Sequence, residues 1–329
     1  MAKSTLVEQL DQAVEVVLKT GAASVAAAEP KLATLVGTAA QLRGLPRQQF
    51  KAQLKTNLEK EITMPSTLES TTTSKSKTGE HYQTLTPYIM VDSAPELAEF
   101  VKEAFGAEEL TRSIGSAGGF HIEVRIGDAM LMLGGGGKAK IDKPTPTSLH
   151  LYVKDADAVY QRALQAGATS IYEPVDQGYG DREAGVRDLA GNEWFIATHK
   201  GASHIPEGLR TVTPGLRSRG AENVIEFLKR AFGAEDAGIY RSPEGTVVHA
   251  KLRLGDSMLE LGEAHGPWQP MPTAFYLYVQ DADSVYHRVL EAGATSVAPP
   301  TDQPYGHRMG WLQDPFGNQW FISMPINKL

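Results

Sequence analysis

Residues 148–196 read SLHLYVKDADAVYQRALQAGATSIYEPVDQGYGDREAGVRDLAGNEWFI, and residues 274–322 read AFYLYVQDADSVYHRVLEAGATSVAPPTDQPYGHRMGWLQDPFGNQWFI. The two blocks align without a gap, shifted by 126 positions (Asp302 against Asp176). The match extends upstream. AFGAE at 104–108 recurs at 231–235, and HIEVRIGDAMLMLG from His121 recurs as HAKLRLGDSMLELG from His249. Solenoid units repeat about every 20–50 residues. A period this long is a domain copied in tandem, so function resides in a unit of that size.

Within each copy the pattern is strand, helix and three strands, twice over. In copy one the strands are LTPYIMV, then ELTRSIG, FHIEVRIGD and AMLMLGG, then SLHLYV and three short strands ending at NEWFIAT. The helices are APELAEFVKEAFG and ADAVYQRALQAGA, each with apolar residues at helical spacing and a terminal glycine. The expected fold is α+β: tandem paired βαβββ modules behind a small helical N-terminal extension. The expected segments are a helical extension over 1–64, a flexible Ser/Thr/Lys-rich linker over 65–80, and domains over 82–200 and 207–329. The extension carries Leu6, Leu10, Val14 and Val17 on one helical face, with further stripes from Leu32 to Leu42 and from Phe50 to Leu58. It shows no motif with chemistry.

Composition removes several function classes. There is no cysteine, hence no disulfide, thiolate nucleophile or cysteine-held metal. The formal charge of −7 argues against general binding to nucleic acid. No run approaches the roughly 20 apolar residues that span a bilayer, and MAKSTLVEQLDQAVEVVL does not read as a signal peptide. A cytoplasmic location with no membrane association is expected. Gly134 to Gly137 followed by Lys138 lacks the Ser/Thr and the helix of a phosphate loop, and reads as a loop between modules.

Strand side chains alternate between faces. The face away from the helices carries Thr86, Tyr88 and Met90, then His121, Glu123 and Arg125, then Met130 and Met132. Ser148, His150 and Tyr152 continue it, with Phe195. Copy two supplies Thr213, Gly215, Arg217, His249, Lys251, Met258, Glu260, Ala274, Tyr276, Tyr278 and Phe321. This mixture of aromatics, thioethers and single charges reads as the lining of a ligand cavity. Candidate ligand-binding residues are Tyr88, Met132, Phe195, Met258, Tyr276 and Phe321 for apolar contact, with His121, His150, His249 and Glu260 fixing orientation. Arg182 and Arg308, in Y-G-x-R, are expected to tie their loops to Asp176 and Asp302.

The D-Q-x-Y-G-x-R motif, with D-P-F-G-N-x-W-F-I and its copy-one form, resembles the glyoxalase/bleomycin-resistance/extradiol-dioxygenase superfamily (vicinal oxygen chelate proteins), and most of all its PhnB-like branch. The resemblance covers both repeats. It implies curved sheets around cavities and an internal pseudo-dimer, and leaves open whether modules pair within or across copies and whether a homo-oligomer forms. It also implies a divalent metal held by side chains on the first, fourth, fifth and eighth strands. Those positions fall on Thr86 and Thr213, Met132 and Glu260, Ser148 and Ala274, and Phe195 and Phe321. Only Glu260 is a metal-ligating type, so no cofactor is expected. A divalent metal would need a displaced set such as His121, Glu123 and His150. The reading is therefore a protein that binds a small organic molecule, as the bleomycin-resistance branch sequesters drugs. The alternatives are a metal-dependent glyoxalase-type lyase, isomerase or dioxygenase, and an interaction scaffold.

Overall fold

The structure, a computed structural model, describes residues 83–115, 118–137, 141 and 144–326. The expected helical extension and linker lie outside the described residues. Copy one comprises β1 (Leu85–Met90), α1 (Ala94–Phe105), β2 (Glu108–Ile114), β3 (Phe120–Ile126), β4 (Ala129–Gly135), β5 (Ser148–Tyr152), α2 (Ala156–Gln165), β6 (Thr169–Asp176), β7 (Asp181–Arg187) and β8 (Glu193–His199). Copy two comprises β9 (Val212–Ser218), α3 (Ala221–Phe232), β10 (Glu235–Arg241), β11 (Val247–Leu254), β12 (Ser257–Glu263), β13 (Ala274–Tyr278), α4 (Ala282–Glu291), β14 (Thr295–Asp302), β15 (His307–Gln313) and β16 (Gln319–Pro325). The fold is α+β, with tandem βαβββ modules, as the alternation predicts.

The helices begin and end where local chemistry requires. The Asp155 and Asp281 side chains accept the backbone N–H of Ala158 and Ser284, capping α2 and α4. Gly106 and Gly233 end α1 and α3 at φ of 71° and 70°, where a Cβ would be strained. Within each copy the two helices pack together between their modules. Arg162 Nε donates to the Ala104 carbonyl at the end of α1, and Arg288 Nε to that of Ala231. The apolar core of copy one joins α1 and α2 with inward residues of β3, β4, β5 and β8, such as Ile122, Leu131, Leu149 and Trp194. Copy two repeats this arrangement around Phe227, Phe275 and Trp320.

The sheets are not built within copies. One runs β14-β15-β16-β13-β1-β4-β3-β2, the other β10-β11-β12-β9-β5-β8-β7-β6. Each joins the first module of one copy to the second module of the other. The joints are antiparallel: β1 against β13 with Thr86 opposite Tyr276, and β5 against β9 with His150 opposite Thr213. The segment between β8 and β9 is short, and both strands flank β5, so the chain turns back into the same sheet.

Side chains at the tips of the β3–β4 and β11–β12 hairpins tie the copies together. Thr84 N–H donates to Asp256 Oδ1 and Thr211 N–H to Asp128 Oδ1, both at 2.8 Å. Gly127 and Gly255 sit at φ of 59° and 58° with Thr211 and Thr84 pressed against them. A Cβ on Gly255 would stand 2.5 Å from Thr84 Oγ1. Gly255→Ala is expected to cost at least about 1–2 kcal/mol from its left-handed backbone alone, read by urea denaturation. An unchanged midpoint would remove this tie from the account of how the copies are held.

The repeated spacing D-x-x-G-N-x-W closes each second module. Asp188 Oδ1 accepts N–H from Ala190 and Asn192, while its Oδ2 accepts from Asn192 Nδ2 and the Trp194 indole. Asp314 repeats this set with Phe316, Asn318 and Trp320. The glycine run behaves differently from its expected loop. Gly134 and Gly135 belong to β4, and a Cβ on Gly134 would collide with the Tyr88 ring. Gly134 leaves room for that ring, and Gly135, at positive φ, for the Val91 carbonyl and Ile141. Lys138 is outside the described residues.

Candidate functional site

The faces away from the helices form two different surfaces. On the first sheet the face is filled. Phe321 stacks on Trp311 (centroids 5.1 Å apart, planes at 19°) and on Tyr276 (5.7 Å, 4°), and meets Tyr88 edge-on at 5.2 Å. Met132, Ala274 and Tyr278 complete the cluster, with Met90 and Met309 packed against it. His121 lies at its border, Nε2 3.3 Å from Glu123 Oε1, with its ring against Tyr88. Burial pushes the Tyr88 hydroxyl up to about 12, so it stays neutral.

On the second sheet the same rows leave a hollow. Aligned position by position, Gly215 stands for Tyr88, Glu260 for Met132, His150 for Tyr276 and Glu183 for Met309. Here the face borders two adjoining hollows of about 540 Å³ and 440 Å³, the larger of them wide open to solvent, which share His150, Tyr179 and Val248.

At their boundary, His150 of β5 lies between two carboxylates. Its Nδ1 is bonded closely to Glu260 Oε2 of β12, and its Nε2 lies 3.0 Å from Glu183 Oε2 of β7. The Tyr172 hydroxyl donates to Glu183 Oε1 at 2.5 Å. Burial alone would lower the His150 pKa. The carboxylates on both sides overcome it, pushing His150 up to about 10. Burial alone would raise Glu183 and Glu260, and the imidazolium between them holds both below the usual carboxylate range. The three form a buried ion triad across the copies: His150 and Glu183 come from copy one, Glu260 from copy two.

The larger chamber is aromatic. Tyr172 stacks on Phe195 (6.2 Å, 29°), Trp268 meets Phe195 at 5.8 Å, and the Arg217 guanidinium lies 5.2 Å over the Trp268 ring. Arg217 is held by Glu193 Oε2 at 2.6 Å. The smaller chamber is polar. Asp181 is buried, its Oδ1 bonded to His199 Nδ1 at 2.6 Å and its Oδ2 accepting from the Tyr152 hydroxyl at 3.3 Å. Lys251, His249 and Tyr240 face them. Pro206, in the segment joining the copies, closes one side.

The ten sequence candidates divide evenly. Tyr88, His121, Met132, Tyr276 and Phe321 lie on the filled sheet. His150, Phe195, His249, Met258 and Glu260 lie on the hollow one, with Met258 packed beside Tyr152 and Leu209. The displaced metal set is corrected: His121 and Glu123 are on the first sheet and His150 on the second, so they do not meet. His307 opens β15 and bonds Ser323 Oγ at 3.0 Å. Arg308 reaches Asp302 and Arg182 reaches Asp176 as expected, but each also grips Asp283 or Asp157 in the first turn of a helix with two nitrogens. Glu183, Asp181, Tyr172, His199 and Trp268 were not among the candidates. The alternation in DREAGVR already puts Asp181, Glu183 and Gly185 on one face, and the Glu183/Met309 mismatch between copies marks the difference.

The family model described as the glyoxalase/bleomycin resistance protein/dioxygenase superfamily matches residues 80–196 and 210–322. The chain belongs to this superfamily. An uncharacterized protein of Mycobacterium bovis is 39% identical over 129 residues, covering 36% of this chain and 85% of that protein. An uncharacterized protein of Mycobacterium tuberculosis is 39% identical over the same length, covering 36% and 76%. Among solved structures, glyoxalase I from Zea mays is similar with a TM-score of 0.58 at 15% identity, over 73% of this chain and 92% of that one. That likeness concerns the fold.

Metal-dependent members of the superfamily need three or four ligating side chains in the cavity. At the corresponding positions the hollow cavity holds Thr213, Glu260, Ser148 and Phe195. Glu260 is engaged by His150, and an imidazolium with both ring nitrogens donating has no lone pair for a metal. Among the described residues no three or more His, Asp or Glu side chains are arranged to hold a metal ion. The donor set does not fit a divalent transition metal. Among them, too, no helix is long and apolar enough to cross a membrane.

Proposed function

We propose that this superfamily member binds a small organic molecule in the hollow of the second sheet without a bound transition metal. In this reading the filled face of the first sheet is structural. A flat apolar part of the ligand lies against Phe195, Tyr172 and Trp268, as in sequestration of a drug or a toxic metabolite. The observation that carries the reading is the exchange of Tyr88, Met132, Tyr276 and Met309 for Gly215, Glu260, His150 and Glu183. One set fills a cavity and the other opens one and lines it with placed polar groups. The D-Q-x-Y-G-x-R motif in both copies supports the PhnB-like branch, and the absence of any cysteine is compatible with a cytoplasmic location.

Elemental analysis after purification without chelators or metal-affinity resin tests the metal half of the proposal. Nickel, zinc, manganese and iron are expected well below one equivalent per chain. One equivalent of any of them, lost on Glu260→Gln, would overturn it.

A further inference from the structure

The smaller chamber has more hydrogen-bond donors than it uses. Both Asp181 oxygens are taken, by His199 and Tyr152, and Glu260 Oε2 is taken by His150. The remaining oxygen, Glu260 Oε1, is flanked by His249 Nε2 at 3.6 Å and Lys251 Nζ at 3.8 Å, both beyond hydrogen-bond length. His199 spends Nδ1 on Asp181, and Nε2 has no hydrogen-bond partner among the described residues. Three nitrogen-bearing side chains, Lys251, His249 and His199, thus line one chamber with hydrogen-bonding capacity to spare; Asp181 and Glu260 Oε2 are committed, and Glu260 Oε1 keeps only long ion pairs with Lys251 and His249.

The filled sheet shows what the alternative looks like. There His121 stands for His249, but the residues aligned with Lys251, Asp181 and His199 are Glu123, His307 and Pro325, so only one of the three donors has a counterpart on that sheet. A ligand cation entering the small chamber would compete with Lys251 and His150 for Glu260. A ligand anion would find donors already aimed inward and would complete their bonding.

From this geometry we infer that the smaller chamber is a carboxylate subsite, and that the ligand is a small organic acid. Its acid group takes hydrogen bonds from Lys251, His249 and His199, while its apolar body passes Tyr179 and Val248 into the aromatic chamber. The inference rests on the binding function proposed above and specifies its ligand class. Asp181 acts as a positioning residue, fixing the His199 ring through Nδ1.

Benzoate, benzamide and benzylamine share one ring and differ in the charge of the substituent. Titrated into the full chain near neutral pH and low salt, and followed by chemical shift and calorimetry, benzoate is expected to bind at least about tenfold tighter than either analogue. Lys251→Met keeps the apolar stem and is expected to erase most of that preference. His199→Gln, which retains a donor, is expected to keep part of it. Benzamide or benzylamine binding as tightly as benzoate would overturn the carboxylate subsite and leave the binding function standing. An unchanged preference in Lys251→Met would also overturn it. Failure of all three to bind would remove both.

Discussion

Replacing His150 with alanine is expected to destabilise the protein by about 3–5 kcal/mol, because it leaves Glu183 and Glu260 buried without their counter-charge. Urea denaturation at pH 7 reads this directly. The energy lost is that of two stranded carboxylates and not the net worth of the triad. A His150→Leu, Glu183→Leu, Glu260→Leu triple replacement is therefore expected to match the parent or to exceed its stability by about 1–4 kcal/mol. A triple variant as unstable as His150→Ala would show that packing and not charge is at stake.

The same triad gives the fold a pH dependence of known sign. The folded pKa of His150 is raised from 6.5 to about 10. Its contribution is complete below the unfolded value and fades as pH climbs through the folded one. Stability is expected to fall between about pH 6.5 and pH 10 in the parent and to fall less in the triple variant. Glu183 and Glu260 are shifted the other way, so their contribution holds above the ordinary carboxylate range and is lost on acidification.

Phe321→Ala is the second change with a large expected effect, about 3–5 kcal/mol. Phe321 is buried and touches Tyr88, Tyr276 and Trp311, none of which can collapse into the void, since Tyr88 already lies against Gly134. The aligned Phe195→Ala on the hollow sheet is expected to cost about half as much or less, because that ring borders open space and is only partly buried. Paired denaturation curves check the contrast. Equal losses at the two positions would mean that both faces are packed alike, and the assignment of one cavity as structural would fall.

How much of this was readable beforehand follows from the range of each interaction. The alternation in SLHLYV separates Leu149 and Leu151 from His150 and Tyr152 with no knowledge of neighbours, and the structure keeps that separation. The duplicated text likewise exposed the positions at which the copies differ, including Glu260 against Met132. The same alternation in DREAGVR puts Glu183 and Asp181 on one face, but alternation alone does not say whether that face meets solvent or a cavity. His121, Glu123 and His150 were grouped because they lie near one another in one copy. The grouping failed because sheet pairing joins modules of different copies.

By itself the sequence determined the modules, their order, the helix caps and which side chains leave each strand on which face, since all of these arise within a few residues of chain. Only the tertiary structure decided that β5 pairs with β9 and β1 with β13. That pairing brings His150 to Glu260, 110 residues away, and Tyr88 to Phe321. No local pattern encodes a partner at that distance. It emerges when two copies bury their strand edges against each other, closing one cavity with rings and leaving the other open around a buried charge.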